Sequence, residues 1–199
     1  MATKQRLPAE VRKKEIREAA KRVFLKKGFT ATTMEDVIAE AGMSKGGVYR
    51  HYKSTSAMLY DLMVDGNYYY FSFFSDSIKD SNLKMKEMKD LMVEASVLKM
   101  IDKNEYKSLY IIFLIESQKN SKLKELRFEI KKKGKQEFFE FLKRHNMEKL
   151  NCLANDDFIA FMESIMVANE ILDVRDIFLN NKDFFKNIIY QYIETKQND

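Results

Sequence analysis

Two adjacent glycines, Gly46 and Gly47, stand among side chains that are nearly all hydrogen-bond donors: Lys45, Tyr49, Arg50, His51 and Lys53. Donors of these types suit phosphate oxygens and base edges, and a backbone without side chains can press close to a partner. The chemistry on offer is recognition, with no bond made or broken. Each glycine inside a helix costs roughly 1 kcal/mol relative to alanine, so two in succession ask for a reason. Either the turn is a frayed end, or the missing side chains let the helix start approach another surface. The donors around the pair point to the major groove of a DNA duplex as that surface.

Nothing comparable for catalysis is legible. A nucleophile with its base, a metal-ligand set or a phosphate loop is absent from the sequence. The glycine pair lacks the P-loop spacing, and the only histidines are His51 and His145. Neither an enzyme nor a cofactor is expected. The single cysteine, Cys152, has no partner for an internal disulfide. The basic N-terminal residues lack a following apolar segment of the kind export signals carry, and no apolar run is long enough to span a bilayer. The expected compartment is the cytoplasm, and a membrane is not an expected partner.

Placing the donors requires a helix, a tight turn and a second short helix over residues 32–52. Thr32 followed by Glu35 is spaced as a capping box, which fixes a helix start. Met34, Val37, Ile38 and Ala41 then recur on one face, with Glu35, Asp36 and Glu40 turned to water. Gly42 supplies the stop, and Ser44 caps the second helix. Upstream, Pro8 opens a helix to about Lys27 whose buried stripe is Ile16, Ala19, Ala20, Val23 and Phe24. Gly28 closes it and Phe29 plugs the small core.

Charge follows the same division. The chain has 199 residues and a formal net charge of +5. Residues 1–53 hold 13 Lys or Arg against 6 Asp or Glu, so the remainder is net acidic. A basic head supplies salt-dependent attraction to nucleic acid, although a solvated helical surface accounts for Lys13, Lys14 and Lys21 equally well. Apolar residues make up 45% of the chain, enough for a core, and one proline with six glycines leaves little punctuation for strands. The fold class is all-α, with about nine helices.

Beyond residue 53 the pattern stays helical. Ser54 caps a fourth helix that reaches Tyr68-Tyr69-Tyr70-Phe71-Ser72-Phe73-Phe74, where six aromatics in seven residues predict enclosure on several sides. Helices follow over 83–101, 105–118 and 121–145. The unbroken apolar run Leu109 to Ile115 is expected to be buried all round, and the Lys131-Lys132-Lys133 run to be a solvated face. After a loop through Asn151, Cys152 and Asn155, an eighth helix runs from Asp156 through Leu172 and Ile177, and a ninth covers about 183–192. These last two carry more apolar face than one bundle needs, which predicts a two-fold homodimer through them.

The residues of the first quarter resemble a known family. Thr32-Thr33, the turn Ala41-Gly42-Met43-Ser44, and Ser44 to Tyr52 resemble the DNA-binding signature of the TetR family of transcriptional repressors. Leu25-Lys26-Lys27-Gly28-Phe29 is similar to that family's end of helix one. The resemblance implies a DNA-binding head over 1–53 and a ligand-binding and dimerisation body over 54–199. It implies a dimer seated on a palindromic double-stranded operator, with half-sites about one helical turn apart. Carried over by position, Lys45, Gly46 and Gly47 face base edges, while Thr33, Tyr49 and His51 contact phosphates with Lys53 beside them. Thr55 stands where the family commonly has a phosphate-binding lysine.

A small-molecule effector in the body is also implied, hydrophobic or cationic in character. Its candidate contacts are Phe71, Phe74, Tyr110, Phe113, Met162 and Met166, with Glu116 a candidate counter-charge and Glu163 beside it in the same role. The ordinary alternative is that the rings and thioethers are core and the carboxylates face water. The alternative for function is a DNA-binding regulator with no effector, controlled by a protein partner.

Overall fold

A computed structural model describes residues 8–78 and 83–198, without the side chains of Phe71, residues 73–78 and Asn198. Among the described residues are ten α-helices and one 3-10 segment. They are α1 (Ala9–Lys27), α2 (Met34–Ala41), α3 (Lys45–Tyr49), α4 (Thr55–Ile78), α5 (Met85–Ile101), α6 (Glu105–Ser117) and α7 (Ser121–Arg144), then the 3-10 segment (Glu148–Ala154), α8 (Asp156–Ile171), α9 (Arg175–Asn180) and α10 (Lys182–Asn198). They group into two compact units. One holds the residues up to Asp65 together with Ser108–Arg127, and the other holds Gly66–Lys107 with the chain from Phe128 onward. α4, α6 and α7 each contribute to both.

In the first unit, α1 packs across α2 because its apolar stripe has no exposed alternative: Ile16, Ala19, Ala20 and Phe24 are completely buried. Fully burying a phenylalanine or isoleucine is worth about 1.5–3 kcal/mol. The stripe therefore dominates the modest capping terms. Phe29 packs tilted against Phe24 with ring centres 5.1 Å apart, and Val37, Val48 and Leu59 complete the same core with no exposed surface on any of the three.

The turn between α1 and α2 corrects the expected register by one residue. Thr33, not Thr32, caps α2, and its partner is Asp36, not Glu35. The Thr33 hydroxyl accepts from the Asp36 N–H at 3.2 Å, and the Thr33 N–H donates to Asp36 Oδ2 at 2.9 Å. Thr32 is buried, and its hydroxyl donates to the Gly28 carbonyl at 2.7 Å. Two threonines in succession permit either register from spacing alone. The tie is broken by Lys27, whose ammonium lies 2.7 Å from Asp36.

In the second unit, α5, α8, α10 and the 3-10 segment enclose a core that includes Val97, Met100, Leu142, Phe158, Ile189 and Ile193. The end of α5 leaves carbonyls that water does not reach, and cations supply the missing donors. Arg175 donates to the carbonyls of Ile101, at 2.6 Å, and Asp102. Lys107 Nζ reaches the Asp102 carbonyl and carboxylate, both at 2.5 Å, and Asn169 donates to Met100 O at 3.0 Å. Burial lowers the Lys107 pKa while the Asp102 carboxylate pulls it back up.

Other expectations change. Ile115 is 52% exposed, because the run from Leu109 ends on the open last turn of α6. Tyr68 and Tyr69 are about half exposed, so the aromatic segment is not enclosed all round; its phenylalanine side chains lie outside the described residues. The expected eighth helix breaks after Ile171, where Asp173 takes a left-handed φ of 53°, and Ile177 belongs to the short α9. The loop expected around Cys152 is a 3-10 segment that buries Leu150 and Leu153.

Candidate nucleic-acid interface

α3 is only five residues long, so it depends on anchors more than on its own backbone bonds. Ser44 Oγ accepts from the Gly47 N–H at 3.2 Å and caps its start. Val48 is fully buried beneath it, and Tyr52, 3% exposed, closes its far end. The Tyr52 hydroxyl donates to Asp61 of α4 at 2.7 Å and accepts from Arg17 of α1 at 3.1 Å. Arg17 also holds Asp65 of α4 at 2.7 Å. Burial raises the Tyr52 pKa, with Arg17 opposing it. Burial alone would lower the Arg17 pKa, but Tyr52 and Asp65 raise it overall. Both groups therefore keep their protons, and the network fastens α3 between α1 and α4.

The opposite side of α3 is open. A Cβ built on Gly46 would meet nothing within 4 Å, and one on Gly47 would meet only Ser44 Oγ at 3.2 Å. Neither glycine has a positive φ. No internal clash or backbone conformation at Gly46 calls for the missing side chain, and the helix is ordered instead of frayed. The bare surface faces outward.

Around it the donors are arranged by local contacts. Lys45 is exposed, 3.4 Å from Glu35 and 5.7 Å from the Tyr49 ring centre. Lys53 donates to the Tyr49 carbonyl at 2.6 Å, which capping of the helix end by a cation favours. Thr33 sits at the start of α2 with its hydroxyl engaged by Asp36. His51 is half-buried and lines an open groove of about 400 Å³ with Lys13, Tyr52, Ser56, Tyr60 and Asp61. All seven residues expected at the interface thus lie in the first unit, six of them on α3 or its immediate continuation.

The candidate effector contacts are divided between the two units. Tyr110, half-buried, and Phe113, 1% exposed, belong to the first unit; Met162, half-buried, and Met166, 5% exposed, belong to the second. The Phe71 and Phe74 side chains lie outside the described residues. Glu116 is engaged by the turn after α1. Its Oε1 accepts from the Phe29 N–H at 2.8 Å, and its Oε2 accepts from the Thr30 N–H and hydroxyl, each at 2.6 Å.

Sequence reading missed Glu116, Arg17 and Asp65 as fastenings. The available signal for Glu116 was its position: a carboxylate on the last turn of a helix opposes the helix dipole and needs donors from elsewhere.

A short capped helix, anchored below and bare above, set against two others in this order defines a helix-turn-helix protein. Residues 16–62 match the family described as bacterial regulatory proteins, tetR family. That match is confined to about a quarter of the chain, at its N-terminal end. Over 55 residues it is 51% identical to YfiR of Bacillus subtilis, an uncharacterized HTH-type transcriptional regulator, covering 28% of this chain and 27% of YfiR. Over 108 residues it is 30% identical to YerO of the same organism, likewise described, covering 53% and 36%. The matches thus span about a third or less of those relatives' lengths. Salmonella enterica GusR is similar in fold, with a TM-score of 0.64 at 14% identity over 96% of this chain and 100% of that one. The fatty acid degradation regulator FadR of Bacillus halodurans gives 0.64 at 14% identity, over 92% and 97%. At such identities the likeness concerns the fold.

Proposed function

We propose that this protein is a sequence-specific DNA-binding transcriptional regulator, a repressor that sits as a homodimer on a palindromic operator. The observation that carries the reading is the outward, unobstructed face of Gly46 and Gly47 on a helix whose other face is locked by Val48 and Tyr52. A duplex can approach that face without meeting a side chain. Lys45, Gly46 and Gly47 are then set against base edges, and Thr33, Tyr49, His51 and Lys53 against phosphates. For Lys53 and Lys45, contact with DNA means exchanging an existing partner, Tyr49 O or Glu35, for a stronger negative field.

Release is assigned to a small hydrophobic or cationic effector in the helical body, which acts by binding the two states of the protein unequally. Met162 and Met166 of α8 are candidate contacts within the second unit. Ile171 of α8 and Phe184 of α10 are each more than half exposed. Apolar side chains of this size fit burial against a second copy. A cytoplasmic location follows from the function.

The test is selection of bound fragments from the source genome, followed by fluorescence anisotropy with the selected duplex. Affinity is expected to fall steeply with salt, by about a thousandfold between 50 and 200 mM for six or more phosphate contacts. Tyr49→Ala and His51→Ala weaken binding to every sequence, whereas Lys45→Ala changes which base is preferred. Binding that is absent, or indifferent to salt, overturns the reading.

A further inference from the structure

We infer that Glu116 is a positioning residue for DNA binding: through it, α6 sets the attitude of the helix-turn-helix head. The inference rests on the DNA-binding reading and names a means of its control. Three donors converge on the carboxylate, and two of them are backbone N–H groups of the turn between α1 and α2. A bond to backbone fixes the path of the chain itself, so it cannot be evaded by a side chain swinging away. The turn continues directly into Thr33, the cap of α2. A displacement of α6 is therefore delivered to the start of α2, and from α2 to α3.

Two further observations make this a built contact. Glu116 lies on the last turn of α6, where the helix dipole disfavours a carboxylate, so its place is not explained by α6 itself. Gly28 has a φ of 77°, and a Cβ there would stand 2.4 Å from Glu116 Oε1. The turn is thus shaped around the carboxylate. α6 also begins in the other compact unit, since Glu105–Lys107 belong to it and Ser108–Ser117 to this one.

A residue that only stabilised the turn would alter folding, whereas one that sets attitude alters how two heads match two half-sites. The experiment therefore uses the full-length protein and the selected duplex, with its half-site spacing changed by one or two base pairs either way. Wild type is expected to lose about tenfold or more in affinity when the spacing is changed. In Glu116→Ala, affinity for the native spacing falls about tenfold and the spacing penalties shrink to about twofold, with the salt dependence unchanged because no phosphate contact is lost. Glu116→Gln, which keeps one acceptor oxygen, falls between the two. Amide exchange at Phe29 and Thr30 quickens in Glu116→Ala, while Val48 and Tyr52 stay protected.

Wild-type discrimination retained in Glu116→Ala overturns the role of Glu116 and leaves DNA binding standing. A wild type that binds no duplex overturns the DNA-binding reading and the positioning role with it. Unprotected Phe29 and Thr30 amides in wild type would show that the grip itself is not made.

Discussion

The Tyr52 hydroxyl is the point where three helices meet, because one oxygen serves both Arg17 and Asp61. Tyr52→Phe removes that oxygen and leaves two charged groups facing an apolar ring edge. The head is expected to lose about 1–3 kcal/mol, read by chemical denaturation, with DNA affinity falling in step as α3 loosens. The cap of α2 offers a second test at this scale. Thr33→Ala should cost about 1 kcal/mol, and Glu35→Ala, on an exposed side chain, should stay within about 0.5 kcal/mol.

Asp36 adds a pH dependence. Hydrogen bonds from Lys27 and then from Thr33 hold its carboxyl down to about 2, against an ordinary aspartate near 3.8 in the unfolded chain. Its help is complete above the unfolded value and is lost as pH falls through about 2. Melting temperatures of wild type and Asp36→Asn should therefore differ at pH 6 and converge towards pH 2.

Among the elements, the turn after α1 is the most constrained. Gly28→Ala places a side chain at positive φ, which costs about 1–2 kcal/mol, and also drives Cβ into Glu116. In the Glu116→Ala background the second cost disappears. The two substitutions together should destabilise by less than the sum of each alone, measured as a double-mutant cycle of unfolding. Most of the helices were legible from the sequence because they carry an apolar stripe at helical spacing. α1, α2 and α3 also carry start and stop residues, such as Gly42 with its φ of 60°. What was not legible depended on partners distant in the chain. Asp36 was preferred over Glu35 because Lys27 lies across from it. Ile115 was left in water because α6 ends there. Leu172 to Val174 broke a continuous-looking helix through one left-handed residue, Asp173. For the candidate site, residue types and the bare glycines were readable, because all but Thr33 sit within nine positions. The fastenings from Arg17, Asp65 and Glu116 span 35 or more positions and have no local signature.

At the scale of the whole molecule, assembly is the property most open to test. Ile171→Glu and Phe184→Glu place charges on exposed apolar positions of α8 and α10, where a folded monomer tolerates them. If these positions face a second copy, sedimentation will show a self-affinity about tenfold or more weaker, with helical content unchanged. Operator affinity should then fall with protein concentration more steeply than in wild type.

The grip of Glu116 on the α1–α2 turn also bears on exchanging parts among regulators. Residues 1–53 carry every donor expected at the duplex, yet the acceptor for the Phe29 and Thr30 amides arrives from a helix more than eighty residues downstream. A transplant cut before α6 would leave those amides to the solvent and free the tilt of the recognition surface, unless the recipient offers its own carboxylate at the equivalent spot. Chimeras of this protein should therefore be chosen by what the receiving α6 ends in, and not by where the first helices stop.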